Sequence, residues 1–289
     1  MLRATFSVVD GYVMSQSNRN KPILEQTTVL DLVPFGEGER RLYALRLTLP
    51  DWPGWKPGQF VMLRKPGAQI HLLARPFSIC RVAAKNLVLF FQVAGKATDE
   101  LAQLAVGDVL DIWGPLGNTI AVEKDGPTLL LAGGVGIAPF VGYVEEHPAP
   151  WNISMEFGHT APLDSYPMYS LNEKILVDNF WERKPEDLPK FIDRIEERMA
   201  QHAKAVLESP QKTGLVVACG PLPFMKTVQK FAEKYKVKTQ LCMENRMACG
   251  VGACLGCVVK VPKSEGAMGP TFVQVCSRGP NFWSDGVEL

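Results

Sequence analysis

The sequence predicts a multidomain chain of class β plus α/β: an antiparallel β-barrel, a parallel-sheet α/β domain, and a small cysteine-rich C-terminal domain. Three observations carry this. The first hundred-odd residues hold short runs rich in Val, Leu, Phe and Thr, separated by Gly, Pro and Asp. After Lys124, strand-like runs alternate with segments of helical periodicity. Four of the seven cysteines, Cys249, Cys254, Cys257 and Cys276, fall close together near the C-terminus.

Composition sets the outer bounds. At 289 residues, 46% hydrophobic and 21% charged, the chain has ample material for a core and is not disordered. Its net charge is +1, and it reads as having no Lys/Arg cluster, so neither nucleic acid nor a membrane surface is expected as a partner. The longest uncharged stretch, Gly126 to Val144, contains Pro127, Pro139 and five glycines, which suit a turn rather than a membrane span. The N-terminus MLRATFSVVD lacks the pattern of a secretory signal, and clustered cysteines in an intracellular chain point to metal or redox chemistry. A cytoplasmic location follows as an expectation.

Along the chain, Arg41–Leu49, Gln59–Arg64, Asn86–Val93 and Val109–Trp113 read as strands of a small antiparallel barrel. A short helix is predicted from Thr98, where a capping hydroxyl precedes two acids. The first 25 or so residues fit no clear pattern. Thr128–Ala132 is an apolar strand ending in Gly133-Gly134, and Asn152–Phe157 is another. Leu188, Phe191, Ile192, Ile195, Met199 and Val206 recur at helical spacing. Leu215–Cys219 is a strand, and Phe224, Val228, Phe231 and Tyr235 mark a further helix. Segment 158–187 is Pro-rich and poorly periodic and reads as an insertion or long surface loop. The expected domains are 1–123 (with 1–41 partly an N-terminal arm), 124–241, and 242–289, loop-like from Cys242 onward.

The cysteine cluster has the spacing C-x4-C-x2-C…C, the plant-type pattern for a [2Fe–2S] cluster. Iron takes thiolate ligands, and three of the four come from one tight loop. Gly250, Gly252 and Gly256 let that backbone curl and turn N–H groups toward the sulfurs. Structural zinc is the alternative, but zinc sites more often pair two short Cys-Cys knuckles. Cys80, Cys219 and Cys242 read singly as small buried hydrophobes. The four histidines, His71, His147, His159 and His202, show no metal spacing and read as core or surface residues.

Arg75-Pro76-Phe77-Ser78 and Gly95-Lys96-Ala97-Thr98 are weak signals taken alone, compatible with an ordinary strand and turn. Their order, with Gly114-Pro-Leu-Gly117-Asn118 following, resembles the flavin-binding barrel of the ferredoxin–NADP reductase superfamily. The resemblance implies FAD, with Arg75 at its phosphates and Pro76, Phe77 and Ser78 positioning the flavin. It also implies Phe91, Gln92, Val93, Gly95, Lys96 and Ala97 bordering the cofactor, and Thr98 capping the pyrophosphate. Gly133-Gly134-Val-Gly136-Ile-Ala-Pro139 fails the strict Gly-x-Gly-x-x-Gly fingerprint but is similar to that superfamily's nucleotide turn. Cys219-Gly220-Pro221 is similar to its later Cys-Gly-Pro. NAD contacts by Gly133, Gly134, Gly136, Pro139, Gly220 and Pro221 are thereby implied, with Cys219 where the nicotinamide meets the flavin.

With all three parts in view, the chain resembles the electron-transfer subunits of type B dihydroorotate dehydrogenases over roughly Leu42 to Leu289. Its most specific strings are Arg75–Ser78 and Glu244-Asn-Arg-Met-Ala-Cys249 through Cys257. The resemblance implies a separate FMN-containing subunit that oxidises dihydroorotate in pyrimidine biosynthesis, two copies of each chain, and electrons passing through the cluster and FAD to NAD+. Three features depart from the family: Ala97 where Gly is frequent, a longer stretch before Leu42, and the 158–187 segment. A reductase subunit for a hydrogenase, glutamate synthase or ferredoxin partner would carry the same cofactor motifs. A zinc-stapled nucleotide-binding regulator is the reading without electron chemistry. No arginine stands clearly placed for the 2′-phosphate of NADP.

Overall fold

A computed structural model describes residues 23–36, 41–67, 73–263 and 270–289. Six strands, β1 (Ile23–Phe35), β2 (Leu42–Thr48), β3 (Phe60–Arg64), β4 (Arg75–Ala83), β5 (Asn86–Gln92) and β6 (Val109–Leu116), close a barrel in the order β1-β2-β5-β4-β3-β6. Every pairing in it is antiparallel. Alternation explains the closure: Leu45, Leu47, Leu63, Ile79, Leu87, Leu89, Leu110 and Ile112 point inward and are buried. β1 is thirteen residues long because it serves both edges. Ile23–Thr28 pairs with β6 and Val29–Phe35 with β2, with an irregularity between Val29 and Asp31. Residues 23–35, within the segment read as patternless or as an arm, are therefore the barrel's closing strand. The rest of that expectation lies outside the described residues.

The helix after β5 is α1 (Lys96–Leu101), which starts two residues before the expected Thr98. Gly95 occupies the cap position. Thr98 sits in the first turn, its hydroxyl accepting from the backbone N–H of Ala94 (2.9 Å) and Gly95 (3.1 Å) and donating to the Gly95 carbonyl (2.9 Å). Reaching back satisfies the donors of the preceding turn, which a cap position would not do.

The second half is a six-stranded sheet. Its parallel strands are β7 (Thr128–Gly133), β8 (Ile153–His159), β9 (Leu176–Trp181), β10 (Leu215–Cys219) and β11 (Thr239–Cys242). β7 and β10 are buried along their whole length, as strands covered on both faces must be. Helix α2 (Ala138–Glu146) and the short α3 (Met168–Asn172) cover one face; α4 (Asp187–Glu208) and α5 (Leu222–Tyr235) cover the other. The 158–187 segment departs from expectation. It carries α3 and β9, the outer strand of the sheet. Its polar residues Asp178 and Asn179 mask an edge strand that needs burial on only one side.

Beyond β11 the chain forms a two-stranded ribbon, β12 (Val258–Val261) and β13 (Thr271–Gln274), then one helical turn, α6 (Val275–Arg278). It returns as β14 (Asn281–Trp283), antiparallel to β11, so the tail is not loop throughout and adds an edge strand to the sheet. Asn118 clasps that return. Its Oδ1 accepts from the Asn281 N–H (2.9 Å), and its Nδ2 donates to the Asn281 carbonyl (2.8 Å). The barrel and sheet pack through α2: a Cβ on Gly142 would lie 2.7 Å from the Cys80 carbonyl, and Arg81 pairs with Glu145 at 3.3 Å. Among the described residues no helix is long and apolar enough to cross a membrane.

Candidate functional site

β4 begins at Arg75, whose register partner on β3 is Leu63; Pro76 opposes Met62, Phe77 opposes Val61 and Ser78 opposes Phe60. The Arg75 guanidinium donates to the Leu73 (3.1 Å) and Ala74 (3.3 Å) carbonyls and lines a recess shared with Ala97, Glu100 and Leu101. Arg75 and Ala97 of the Gly95–Thr98 turn, far apart in sequence, thus line one small depression. Phe77 meets Phe91 edge-on at 5.8 Å, and Tyr43 stacks on Phe91 at 5.6 Å. Phe91 is itself buried in the barrel core and does not line that depression. Gln92 and Val93 are half-buried at the strand end, and Lys96 is exposed.

At the C-terminal ends of the sheet strands, two turns interlock. The β7 turn runs Gly133-Gly134-Val-Gly136 into α2, with Pro139 in that helix's first turn. The β10 turn runs Cys219-Gly220-Pro221 into α5. A Cβ on Gly136 would stand 2.3 Å from the Cys219 carbonyl oxygen, and one on Gly220 would stand 3.2 Å from the Gly133 Cα. Gly134 adopts φ +55° with open space beside it. β7 and β10 are adjacent in the order β14-β11-β10-β7-β8-β9, so this is where successive connections diverge to opposite sides of the sheet. Open α/β sheets bind nucleotides at such a switch point.

Cys219 is buried and directly opposes Cys242 on β11. The Cys242 thiol and burial push the Cys219 pKa well above the ordinary thiol value, so it stays a neutral thiol. Burial also raises Glu244, two residues past β11. Glu244 opens the string Glu244-Asn-Arg-Met-Ala-Cys249 that leads into the cluster loop.

The cluster loop curls through Gly250 (φ +72°), Gly252 (φ +84°) and Leu255 (φ +56°). The third left-handed position is Leu255 and not Gly256 as expected. The Gly252 N–H points at Cys276 Sγ (3.1 Å), the Val251 N–H at Cys249 Sγ (3.4 Å) and the Cys276 N–H at Cys257 Sγ (3.4 Å). Burial opposes ionisation of Cys249, but N–H groups of Val251, Cys254 and Ala253 outweigh it and bring this thiol down to about 7. Cys276, buried against Cys257, is pushed up to about 12.

The Cys249 thiol interacts with that of Cys254, and the Cys276 thiol with those of Cys257 and Cys249. Among the described residues no three His, Cys, Asp or Glu side chains converge as a single-ion site. Four thiols at plant-type spacing, with backbone N–H groups aimed at sulfur, suit a two-iron cluster.

The loop is fastened to the barrel. Trp113 on β6 donates from Nε1 to the Cys249 carbonyl (3.0 Å), and a Cβ on Gly250 would collide with Met62 at 2.4 Å. Met62 is the register partner of both Pro76 and Trp113. No short-range signal marks Trp113 or Met62 for this role, because 136 residues separate Trp113 from the loop it holds. Of the histidines, His147 and His202 are buried and His159 lies in an aromatic stack with Phe157 and Trp181. His71 lies outside the described residues.

The barrel, the switch-point turns and the four-thiol loop define an oxidoreductase of the flavin-barrel and nucleotide-domain class, extended by an iron–sulfur domain. Residues 244–288 match the iron–sulfur cluster binding domain of dihydroorotate dehydrogenase B. The chain is 33% identical over 243 residues to the dihydroorotate dehydrogenase B (NAD(+)) electron transfer subunit of Caldanaerobacter subterraneus, covering 82% of this chain and 90% of the relative. It is 30% identical over 274 residues to that of Listeria monocytogenes, covering 92% and 97%. The chain belongs to the family of dihydroorotate dehydrogenase B electron transfer subunits. Its fold is shared with an NADH-dependent reduced ferredoxin–NADP oxidoreductase (TM-score 0.68, 24% identity, 91% of this chain and 89% of that one). It is also shared with the ferredoxin–NADP+ reductase of Plasmodium falciparum (TM-score 0.59, 14% identity, 73% and 92%).

Proposed function

We propose that this subunit carries electrons between an FMN-containing dihydroorotate-oxidising subunit and NAD+, in an assembly with two copies of each chain. Cys249, Cys254, Cys257 and Cys276 hold a [2Fe–2S] cluster. Arg75 binds the FAD phosphates, Pro76, Phe77 and Ser78 set the flavin against β3, and Thr98 shapes the turn beside it. Gly133, Gly134, Gly136, Gly220 and Pro221 clear space for the nicotinamide nucleotide, and the neutral Cys219 borders its ring. FAD, when bound, links two-electron hydride exchange to one-electron transfer.

One observation supports this reading above the others: Met62 contacts the cluster loop at Gly250 and is the cross-strand partner of Pro76. The cluster loop and the flavin strand therefore share one neighbour. Around that contact the chain's own residues act by exclusion. Met62, Leu116 and Phe60 are buried and keep water from the space between loop and strand.

Arg75→Ala tests the flavin assignment. The variant is expected to keep its iron and to lose most of its FAD, measured by metal analysis and flavin release. Full FAD retention would remove Arg75 from the site. For the catalytic assignment, dihydroorotate-dependent reduction of NAD+ by the copurified complex is expected, with FMN released in equal amount to FAD. A complex that reduces NAD+ only from another donor would favour the reading as a reductase subunit of a different assembly.

A further inference from the structure

The cluster loop forms one end of an open groove of about 2890 Å3. Gly250, Val251 and Cys276 line that end, and the groove runs along α5, β11 and β14 to the 53–59 loop of the barrel. Its walls carry Lys226 and Lys230 of α5, Lys236 and Lys238 just beyond it, and Lys56 on the opposite side. All five are exposed. Among the described residues the lysines in ion pairs are Lys190, Lys204, Lys234 and Lys260; of these five, Lys230 lies within electrostatic reach of Glu196 and Lys238 rests over the Trp283 ring at 4.8 Å. Two carboxylates, Glu233 and Asp285, stand in the same walls. In a chain of net charge +1 this is a concentrated positive surface, and it corrects the expectation that no lysine cluster exists.

The cluster loop shows a second surface of different chemistry. Leu255 (61% exposed) in the loop, with Val258 of β12 and Phe272 (54% exposed) of β13, presents apolar side chains outside the groove. Apolar exposure of this kind suits a permanent subunit contact. Lysine, in contrast, is depleted from stable interfaces and acts over long range to steer short-lived encounters, the mode of weak redox complexes.

We propose that the lysine-lined groove docks a second partner, a small acidic one-electron carrier protein, which exchanges electrons directly with the cluster. The proposal rests on the cluster assignment made above. Each encounter moves one electron from the reduced cluster to the oxidised carrier, with no bond formed or broken. Two encounters remove the pair that one NADH supplies as it becomes NAD+ and releases a proton.

The test uses the purified complex with NADH under anaerobic conditions. The probes are a soluble acidic b-type cytochrome and, as the opposite charge, a basic c-type cytochrome. Reduction of the acidic cytochrome is expected to slow at least about fivefold as salt rises from about 0.02 to 0.3 M. In Lys226→Glu/Lys230→Glu its kcat/KM is expected to fall about tenfold while the basic cytochrome reacts faster. Bleaching of flavin and cluster absorbance by NADH should be unchanged in that variant. Rates indifferent to salt and to charge reversal would overturn the proposal. So would loss of the catalytic subunit from the variant, since the groove would then belong to the permanent interface. Absence of NADH bleaching in the unaltered protein would instead defeat the cofactor reading, and the docking proposal with it.

Discussion

The cluster loop and the nucleotide turn are both built on glycine, yet their glycines answer different demands. Gly250 and Gly252 sit in the left-handed region, where a side chain is strained whatever the space. That curvature is local, and it aims the Val251 N–H at the nearby Cys249 thiol and the Gly252 N–H at the more distant Cys276. Gly136 has no positive φ; it is required because another strand's backbone, the Cys219 carbonyl, occupies the place of a Cβ. The first region is a conformational device of one segment at Gly252, with Gly250 also clearing Met62 of the barrel. The second is a clearance between two segments more than eighty residues apart, and it exists only when β7 and β10 are paired. Substitutions should therefore separate the two: the loop loses its metal and keeps its fold, whereas the turn loses stability along with its nucleotide.

The largest effect is expected at the loop's distant ligand. Cys276→Ser should abolish the iron–sulfur absorbance and iron content while leaving FAD in place; unchanged iron would remove Cys276 from the ligand set. In the sheet half, Gly136→Ala forces a Cβ against backbone that no side-chain rotation can relieve. A loss of about 3 kcal/mol is expected by denaturant unfolding, together with a raised KM for NADH. A variant as stable as the parent would show that the two turns do not interlock in solution.

Acid should divide the halves in the same way. His202 on α4 is buried, with its Nε2 lacking a partner, and burial followed by the charge of Arg198 lowers its pKa to about 4. A depressed histidine binds fewer protons folded than unfolded. Above the unfolded value of about 6.5 the ring is neutral in both states and the pH-linked cost is absent, and stability is lost as pH falls from there through 4. The contribution is on the order of 2–3 kcal/mol. The described part of the barrel contains no histidine, so the α/β half should loosen first, followed by hydrogen exchange at pH 7 and pH 5. Equal acid sensitivity in both halves, or an unchanged profile in His202→Gln, would count against this. The smallest effect is expected for Gly252→Ala. The nearest atom to the added Cβ is 3.3 Å away on Ser277, so the cost is conformational strain of about 1 kcal/mol. Cluster occupancy should fall only in part.

Some features were legible in the residues because their causes are local. The spacing of Cys249, Cys254 and Cys257 reflects a loop that must wrap one object, and inward Leu and Ile at alternate positions of β2, β5 and β6 reflect a period-two pleat. The apolar runs of β7 and β10 announced a sheet covered on both sides. Other features carried no local trace. β9 was hidden because an edge strand with Asp178 and Asn179 need not look apolar, and β14 because three residues make no pattern until they meet β11. Thr98 resembled a cap, although its hydroxyl had better partners behind it. The hold of Trp113 on the Cys249 carbonyl, the shared neighbour Met62, and the lysine groove all depend on residues far apart in the chain. Local sequence settles backbone curvature and side-chain period, since those energies involve neighbours within a few residues. Which surfaces meet is settled by the burial and hydrogen bonding of distant segments, which no short window of sequence contains.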